Sequence, residues 1–156
     1  MTVAAVSDAG PLIHLAAIDS LALFDAFERL FVPETVYGEL ERGGLPDGLA
    51  DRSFELVEAP TDDEVQDGLD PGERAALAIA SNRDAVLLTD DLAAREAASE
   101  SDVDVHGSLG VIAFGYSQGL VARDEAAALM RALQRETSLF VTDAVVERGI
   151  RMLDDG

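Results

Sequence analysis

Three short runs of nearly pure apolar character constrain this chain most: VAAV at 3–6, LFV at 30–32 and AVLLT at 85–89. None alternates apolar with polar residues. Each therefore predicts a strand covered on both faces, and such strands belong to a parallel sheet with helices on either side. A helix-start signal follows each run. Gly10-Pro11 follows the first, with Pro11 expected at a first helical position, Pro33-Glu34 the second and Asp90-Asp91 the third. Weaker strands are predicted at 54–57, a candidate edge strand, and at 103–105. Between them the spacing predicts helices over 21–27, 34–42, 73–81, 109–116, 124–135 and 142–153, and one from Asp90 or Asp91 to about Ala98. Thr61 and Glu64 are spaced as a capping box for a further short helix ending near Gly68. The fold class expected is α/β: a three-layer α/β/α domain with a central, mainly parallel sheet of four or five strands.

A chain of 156 residues with 48 % hydrophobic residues has enough apolar side chains for one core, and a single domain over 1–156 is expected. Its charge is unusual. All 11 basic residues are Arg, against 31 Asp and Glu, a formal net charge of −20. No basic stripe of the kind that binds polyanions is present, so any nucleic-acid contact must be local, through a few Arg or a bound cation. Abundant carboxylates without Lys resemble the proteins of salt-loving organisms, in which salt screens the mutual repulsion. There is no Cys, which excludes disulfides, thiolate nucleophiles and Cys-based zinc sites. The N-terminus carries no basic segment typical of secretion signals. No uncharged apolar run approaches the roughly 18 residues of a membrane span. A cytoplasmic location is the expectation.

In open parallel sheets the chemistry gathers at the carboxyl ends of the strands. Asp8 directly follows the first strand, and Asp90 and Asp91 directly follow the 85–89 strand. Glu73 opens a helix whose Leu77 and Ala80 lie at i+4 and i+7, which turns it towards the sheet. Glu39 lies three residues after Val36 and beside Leu40, on a similar face. Taken singly, Asp8 reads equally well as a turn or cap residue, and Asp90 or Asp91 as an N-cap. Together, several carboxylates at one crevice repel, and some must protonate unless a cation is present. A hard cation such as Mg²⁺ or Mn²⁺, bound through oxygen, removes that conflict and can orient phosphate and activate water.

The blocks VSDAGPLIHLAAI at 6–18, VPETVYGEL at 32–40, DPGERAALAIA at 70–80, LLTDDLAAREAA at 87–98 and GSLGVIAFGYSQGLV at 107–121 resemble, in order, the PIN-domain nucleases. Within them they are most similar to the DUF3368 group, related to VapC-type toxins. The resemblance implies an endonuclease acting on RNA, and in some relatives on DNA, with one or two Mg²⁺ or Mn²⁺ ions. It places the four acids at Asp8, Glu39, Glu73 and Asp91, with Asp8, Glu73 and Asp91 as metal ligands. Glu39 would be an outer ligand or would orient the attacking water. Thr89 matches the hydroxyl of the Thr-x-Asp motif, and Asp90 fills its variable position. In-line attack of metal-activated water would leave a 3′-hydroxyl and a 5′-phosphate. The partners implied are an antitoxin whose tail blocks the acidic groove, often with an Arg, and a second copy forming a homodimer. Two positions depart from the common pattern. Gly10 stands where many relatives carry Ser or Asn, and Glu73 stands where Asp is commoner.

Arg95, four residues after Asp91, reads either as a phosphate contact or as an i,i+4 partner of Asp91. His14, in an apolar helix, reads as a core or surface histidine rather than a ligand. Two other classes of function compete with the nuclease. One is a regulatory or interaction protein on a PIN fold that no longer turns over. The other is a phosphate-transferring domain, against which the absence of Lys counts. The carboxylates address only phosphate, so no base preference can be read from them.

Overall fold

The computed structural model describes residues 3–60 and 68–154. Strands β1 (Ala4–Ser7), β2 (Arg29–Pro33), β3 (Glu55–Val57), β4 (Val86–Leu88) and β5 (Val105–His106) hydrogen-bond in the order β3-β2-β1-β4-β5. Every neighbouring pair is parallel. The helices are α1 (Ala9–Ala17), α2 (Glu34–Gly43), α3 (Pro71–Arg83), α4 (Leu92–Glu100), α5 (Ser108–Ser117), α6 (Arg123–Glu136) and α7 (Asp143–Asp154). A 3₁₀ helix at Leu21–Ala26 precedes β2 and another, Leu49–Asp51, precedes β3.

The apolar runs become strands because both of their faces are covered. Ala5, Leu30, Val32 and Leu88 point into the larger core, against α1, α2, α5, α6 and α7. Their neighbours Val6, Phe31 and Leu87 point the other way, against α3 and α4. Successive side chains of a strand face opposite sides, so a strand buried on both needs apolar residues at every position. The chain runs from β1 outward to β3, then returns past β1 to β4 and β5. Right-handed crossovers put helices of opposite travel on opposite faces, which is why α1 and α2 lie on one side and α3 and α4 on the other. Phe31 is enclosed on its side of the sheet by the guanidinium groups of Arg29 and Arg83, each 4.8 Å from the ring centroid.

Some boundaries differ from those expected. Pro11 is the third residue of α1 rather than the first, because Ala9 and Gly10 already have helical geometry. A proline costs nothing there, since the first-turn amides have no helical acceptor. Strand β5 starts two residues later than expected. The amide of Val103 donates to the Ala98 carbonyl at 2.8 Å and closes the end of α4, so the chain joins the sheet only afterwards. Helix α3 runs from Pro71 to Arg83, longer than 73–81 at both ends. Asp70 caps its start, and Asp84 ends it in a left-handed conformation with φ of 54°. The candidate edge strand near 54–57 is the edge strand β3. The short helix expected from Thr61 lies outside the described residues.

Leu12 holds α1 against the sheet and is fully buried. Leu12→Ala is expected to destabilise the fold by about 3 kcal/mol through lost burial and a residual cavity. Urea denaturation of the variant beside the parent checks this.

Candidate functional site

Strands β1 and β4 lie side by side, yet the chain leaves them in opposite directions across the sheet. The crevice at their carboxyl ends is the topological switch point, where open α/β sheets bind ligands. Asp8 enters it from β1, and Thr89 and Asp91 enter it from β4.

Asp8 is almost completely buried, and both of its carboxylate oxygens are engaged. Oδ1 accepts from the Ala9 amide at 2.8 Å, and Oδ2 accepts from the Thr89 hydroxyl at 2.9 Å. The Asp8 amide donates to the Leu88 carbonyl at 2.9 Å, which continues the β1–β4 ladder up to the carboxylate itself. Thr89, fully buried, also accepts from the Asp91 amide at 3.2 Å. One hydroxyl thus ties the first acid to the turn that carries the last. Asp91, not Asp90, caps α4: its Oδ2 accepts from the Ala94 amide at 2.9 Å.

Glu39 and Glu73 reach the crevice from α2 and α3, and both are half-buried. Glu39 leans on the first turn of α3, and Gly72 makes room for it. A Cβ at Gly72 would lie 2.8 Å from Glu39 Oε1. Glu73 stands third in α3, where it forms a capping box with Asp70: Asp70 Oδ1 accepts from the Glu73 amide at 2.8 Å. Asp70 was not among the acids singled out in the sequence. Its Asp-Pro-Gly-Glu context marks it as an N-cap, and that cap carries its charge to the edge of the crevice.

These carboxylates repel one another. Burial is the main cause that pushes the Asp8 carboxyl above its ordinary range; the Ala9 amide and the Thr89 hydroxyl oppose it, and the charges of Asp70 and Asp91 add to it. Glu39 is raised by burial and then by Asp70 and Asp8. Glu73 is pushed up to about 7, first by burial and then by the charges of Asp70, Asp91 and Asp8. Asp8 therefore lies within electrostatic reach of Glu39, Glu73 and Asp91, and Asp70 within reach of Asp8, Glu39 and Glu73.

The donor set consists of carboxylate oxygens alone, which suits a hard divalent cation by chemistry. As the side chains stand, no three Asp, Glu or His among the described residues converge to hold a metal ion. Asp8 and Asp91 accept from first-turn amides of α1 and α4.

The other candidate residues fall beside the crevice. Asp90 turns away from Asp91 and accepts from three groups. Its Oδ2 lies 2.8 Å from His14 Nδ1 and 2.6 Å from Ser108 Oγ, and its Oδ1 accepts from the Ser108 amide at 2.7 Å. Burial alone would raise Asp90, but these bonds from His14 and Ser108 outweigh it and hold the carboxyl below its usual range. Arg95 is exposed, and among the described residues it makes no ion pair with Asp91. Its guanidinium instead lies against Gly107, where a Cβ would be 2.9 Å from Nη1. His14 is neither simply core nor simply surface: it is bonded to Asp90, a partner 76 residues on that has no local signature.

The chain belongs to the DUF3368 family of PIN domains, whose model matches residues 4–155. No curated protein matches it. Among solved structures, it is similar to a PilT N-terminus domain protein from the hyperthermophilic archaeon Sulfolobus solfataricus. The match has 17 % identity and a TM-score of 0.62, and covers 76 % of this chain and 96 % of the other. That likeness speaks to the fold. No helix among the described residues is long and apolar enough to cross a membrane.

Two outcomes follow from this geometry. Thr89→Val leaves a buried carboxylate oxygen without its donor and is expected to cost about 1–3 kcal/mol, while Thr89→Ser retains most of the stability; urea denaturation compares the two. The second concerns pH. With its folded pKa near 7, above the ordinary 4.5, Glu73 binds a proton in the native state that the unfolded chain releases. Stability therefore falls as pH rises through that window. Without divalent cations, the melting temperature should drop between about pH 5 and about pH 8, and Glu73→Gln should flatten that slope.

Proposed function

We propose that this protein is a divalent-cation-dependent endoribonuclease, with DNA as a secondary substrate. The observation that carries the reading is the gathering of Asp8, Glu39 and Glu73 at the β1/β4 switch point, each raised first by burial and then by neighbouring carboxylates. Asp8, Glu73 and Asp91 would hold Mg²⁺ or Mn²⁺, directly or through water. When bound, such an ion neutralises phosphate charge and acidifies water.

The protein's own residues do the rest. Thr89 keeps Asp8 in place through its hydroxyl. Glu73, pushed up to about 7, carries a proton over part of the neutral range. Glu39, on a longer side chain anchored beside Gly72, orients the attacking water or completes the acidic wall. Arg95 stands at the β5 side of the crevice, where a guanidinium can meet a backbone phosphate. A strand held by phosphate alone is positioned without its bases being read.

The same crevice would take an arginine from a protein partner, so the chain also fits the toxin half of a toxin–antitoxin pair. A groove of about 480 Å³ between α1 and α2 opens beside Glu39, with Ala9, Ile13 and Leu40 in its wall. Ile13 is exposed there, and a second copy could pair through this surface. An acidic chain without Lys would work best in high salt.

The cap bonds that occupy Asp8 and Asp91 favour a second reading, a PIN-fold interaction protein that does not turn over. Cleavage separates the two. Incubated at high salt with Mn²⁺ and a mixed pool of single-stranded and structured RNA, the parent should cut at least about 100-fold faster than Asp8→Asn or Asp91→Asn. Folded, inhibitor-free parent that cuts no faster than these variants would overturn the nuclease.

A further inference from the structure

Of two adjacent aspartates after β4, one faces the crevice and the other is withdrawn from it, and the withdrawn one has the more elaborate set of partners. Asp90 joins three elements. His14 reaches it from the second turn of α1, and Ser108 offers both its amide and its hydroxyl from the start of α5. All three bonds are 2.8 Å or shorter, and Ser108 is fully buried.

The surroundings are cut to this arrangement. Helix α5 has no side-chain cap of its own, since Gly107 stands at its N-cap position. Asp90 supplies that cap from the end of the neighbouring strand β4. A Cβ at Gly107 would lie 2.8 Å from Asp90 Oδ1, too close to be accommodated without displacing it. A Cβ at Gly10 would lie 3.6 Å from Asp90 Oδ2, in ordinary contact, so Gly10 passes close beside the carboxylate. His14 Nε2 continues outward to Ser138 Oγ at 3.4 Å, in the connection between α6 and α7.

What these bonds hold is the relation between two acids. Asp8 is the N-cap of α1, and His14 is six residues further along the same helix. Asp91 is the next residue after Asp90 and the N-cap of α4. Rotation or sliding of α1 relative to the β4–α4 turn would move Asp8 against Asp91, and the bond from His14 to Asp90 resists both motions. The Thr89 hydroxyl fixes the inner end of this relation at the sheet, and the His14–Asp90–Ser108 contacts fix the outer end.

We propose that His14, Asp90 and Ser108 form a clasp that sets the spacing of the Asp8 and Asp91 carboxylates. His14 is then a positioning residue of the site, and Asp90 is a structural anchor rather than a cation ligand. The link to cation binding rests on the nuclease reading above; the mechanical role of the clasp does not.

The test separates the two. His14→Leu removes the donor and keeps an apolar side chain of similar bulk. His14→Asn restores an N–H near the position of Nδ1. Ser108→Ala removes one of the two Ser108 bonds and serves if the leucine variant does not fold. Amide hydrogen exchange comes first, at Ala9 and Ala94, whose N–H groups are bonded to Asp8 and Asp91. Both should exchange faster in His14→Leu and recover in His14→Asn, with the amides of α6 unchanged. Manganese titration followed by melting temperature comes second. The Mn²⁺ concentration at half-effect should rise about 10-fold in His14→Leu and return towards the parent in His14→Asn, the range seen when groups that orient metal ligands are lost.

Unaltered exchange at Ala9 and Ala94 in folded His14→Leu, or an asparagine variant as impaired as the leucine one, overturns the clasp. Altered exchange with an unchanged Mn²⁺ midpoint overturns its role in spacing the acids for a cation. A parent that neither responds to Mn²⁺ nor cuts RNA removes the nuclease reading, and the exchange data then decide the clasp alone.

Discussion

The hydrogen bond from the Thr89 hydroxyl to Asp8 is the contact on which the rest of this site depends. It closes the gap between β1 and β4 at the one place where the sheet's connections diverge. Beneath it β1 and β4 are apolar, and above it Asp8, Asp70, Glu73 and Asp91 bring negative charge. A buried carboxylate is tolerated in such a place only when its oxygens are bonded. Asp8 meets that condition with one amide and one hydroxyl, and the cost of burial is expressed as a raised pKa rather than as an orphaned group. Among the described residues, no buried side-chain polar atom lacks a partner.

The architecture was legible because the sequence pattern and the covering of the sheet have a common cause. VAAV, LFV and AVLLT lack polar alternation, and a strand of that kind needs helices on two sides. Helix starts were legible where a cap is local, as at Asp70-Pro71-Gly72-Glu73. Boundaries shifted where a long-range or end-of-helix bond intervened, as at Val103, whose amide closes α4 before β5 begins. The facing of Glu39 and Glu73 towards the crevice could be inferred from their spacing to Val36, Leu40, Leu77 and Ala80.

The choice between Asp90 and Asp91 could not be made from local pattern, because either can cap a helix. It is decided by His14 and Ser108, distant in sequence, and by Gly107, which leaves the space that Asp90 occupies. Asp70 was overlooked for the opposite reason. Its local role as a cap is complete in itself, and only the tertiary fold shows that its charge also bears on Asp8, Glu39 and Glu73. Family resemblance pointed to four acids, while the bearing of Asp70 on three of them, Asp8, Glu39 and Glu73, is visible only in the fold.

The central position of β1 has a consequence for biosynthesis. Asp8 and Thr89 are 81 residues apart, and β1 pairs on one side with a strand made soon after it and on the other with one made much later. Non-local pairings of this kind form slowly, and this one cannot form until the intervening chain has been made. As the chain leaves the ribosome, the half containing β1 to β3 can assemble first, with one flank of β1 still open. The acidic crevice does not exist until β4 docks, so a growing or truncated chain is without it. Whatever chemistry the crevice carries is therefore absent until most of the chain has been made.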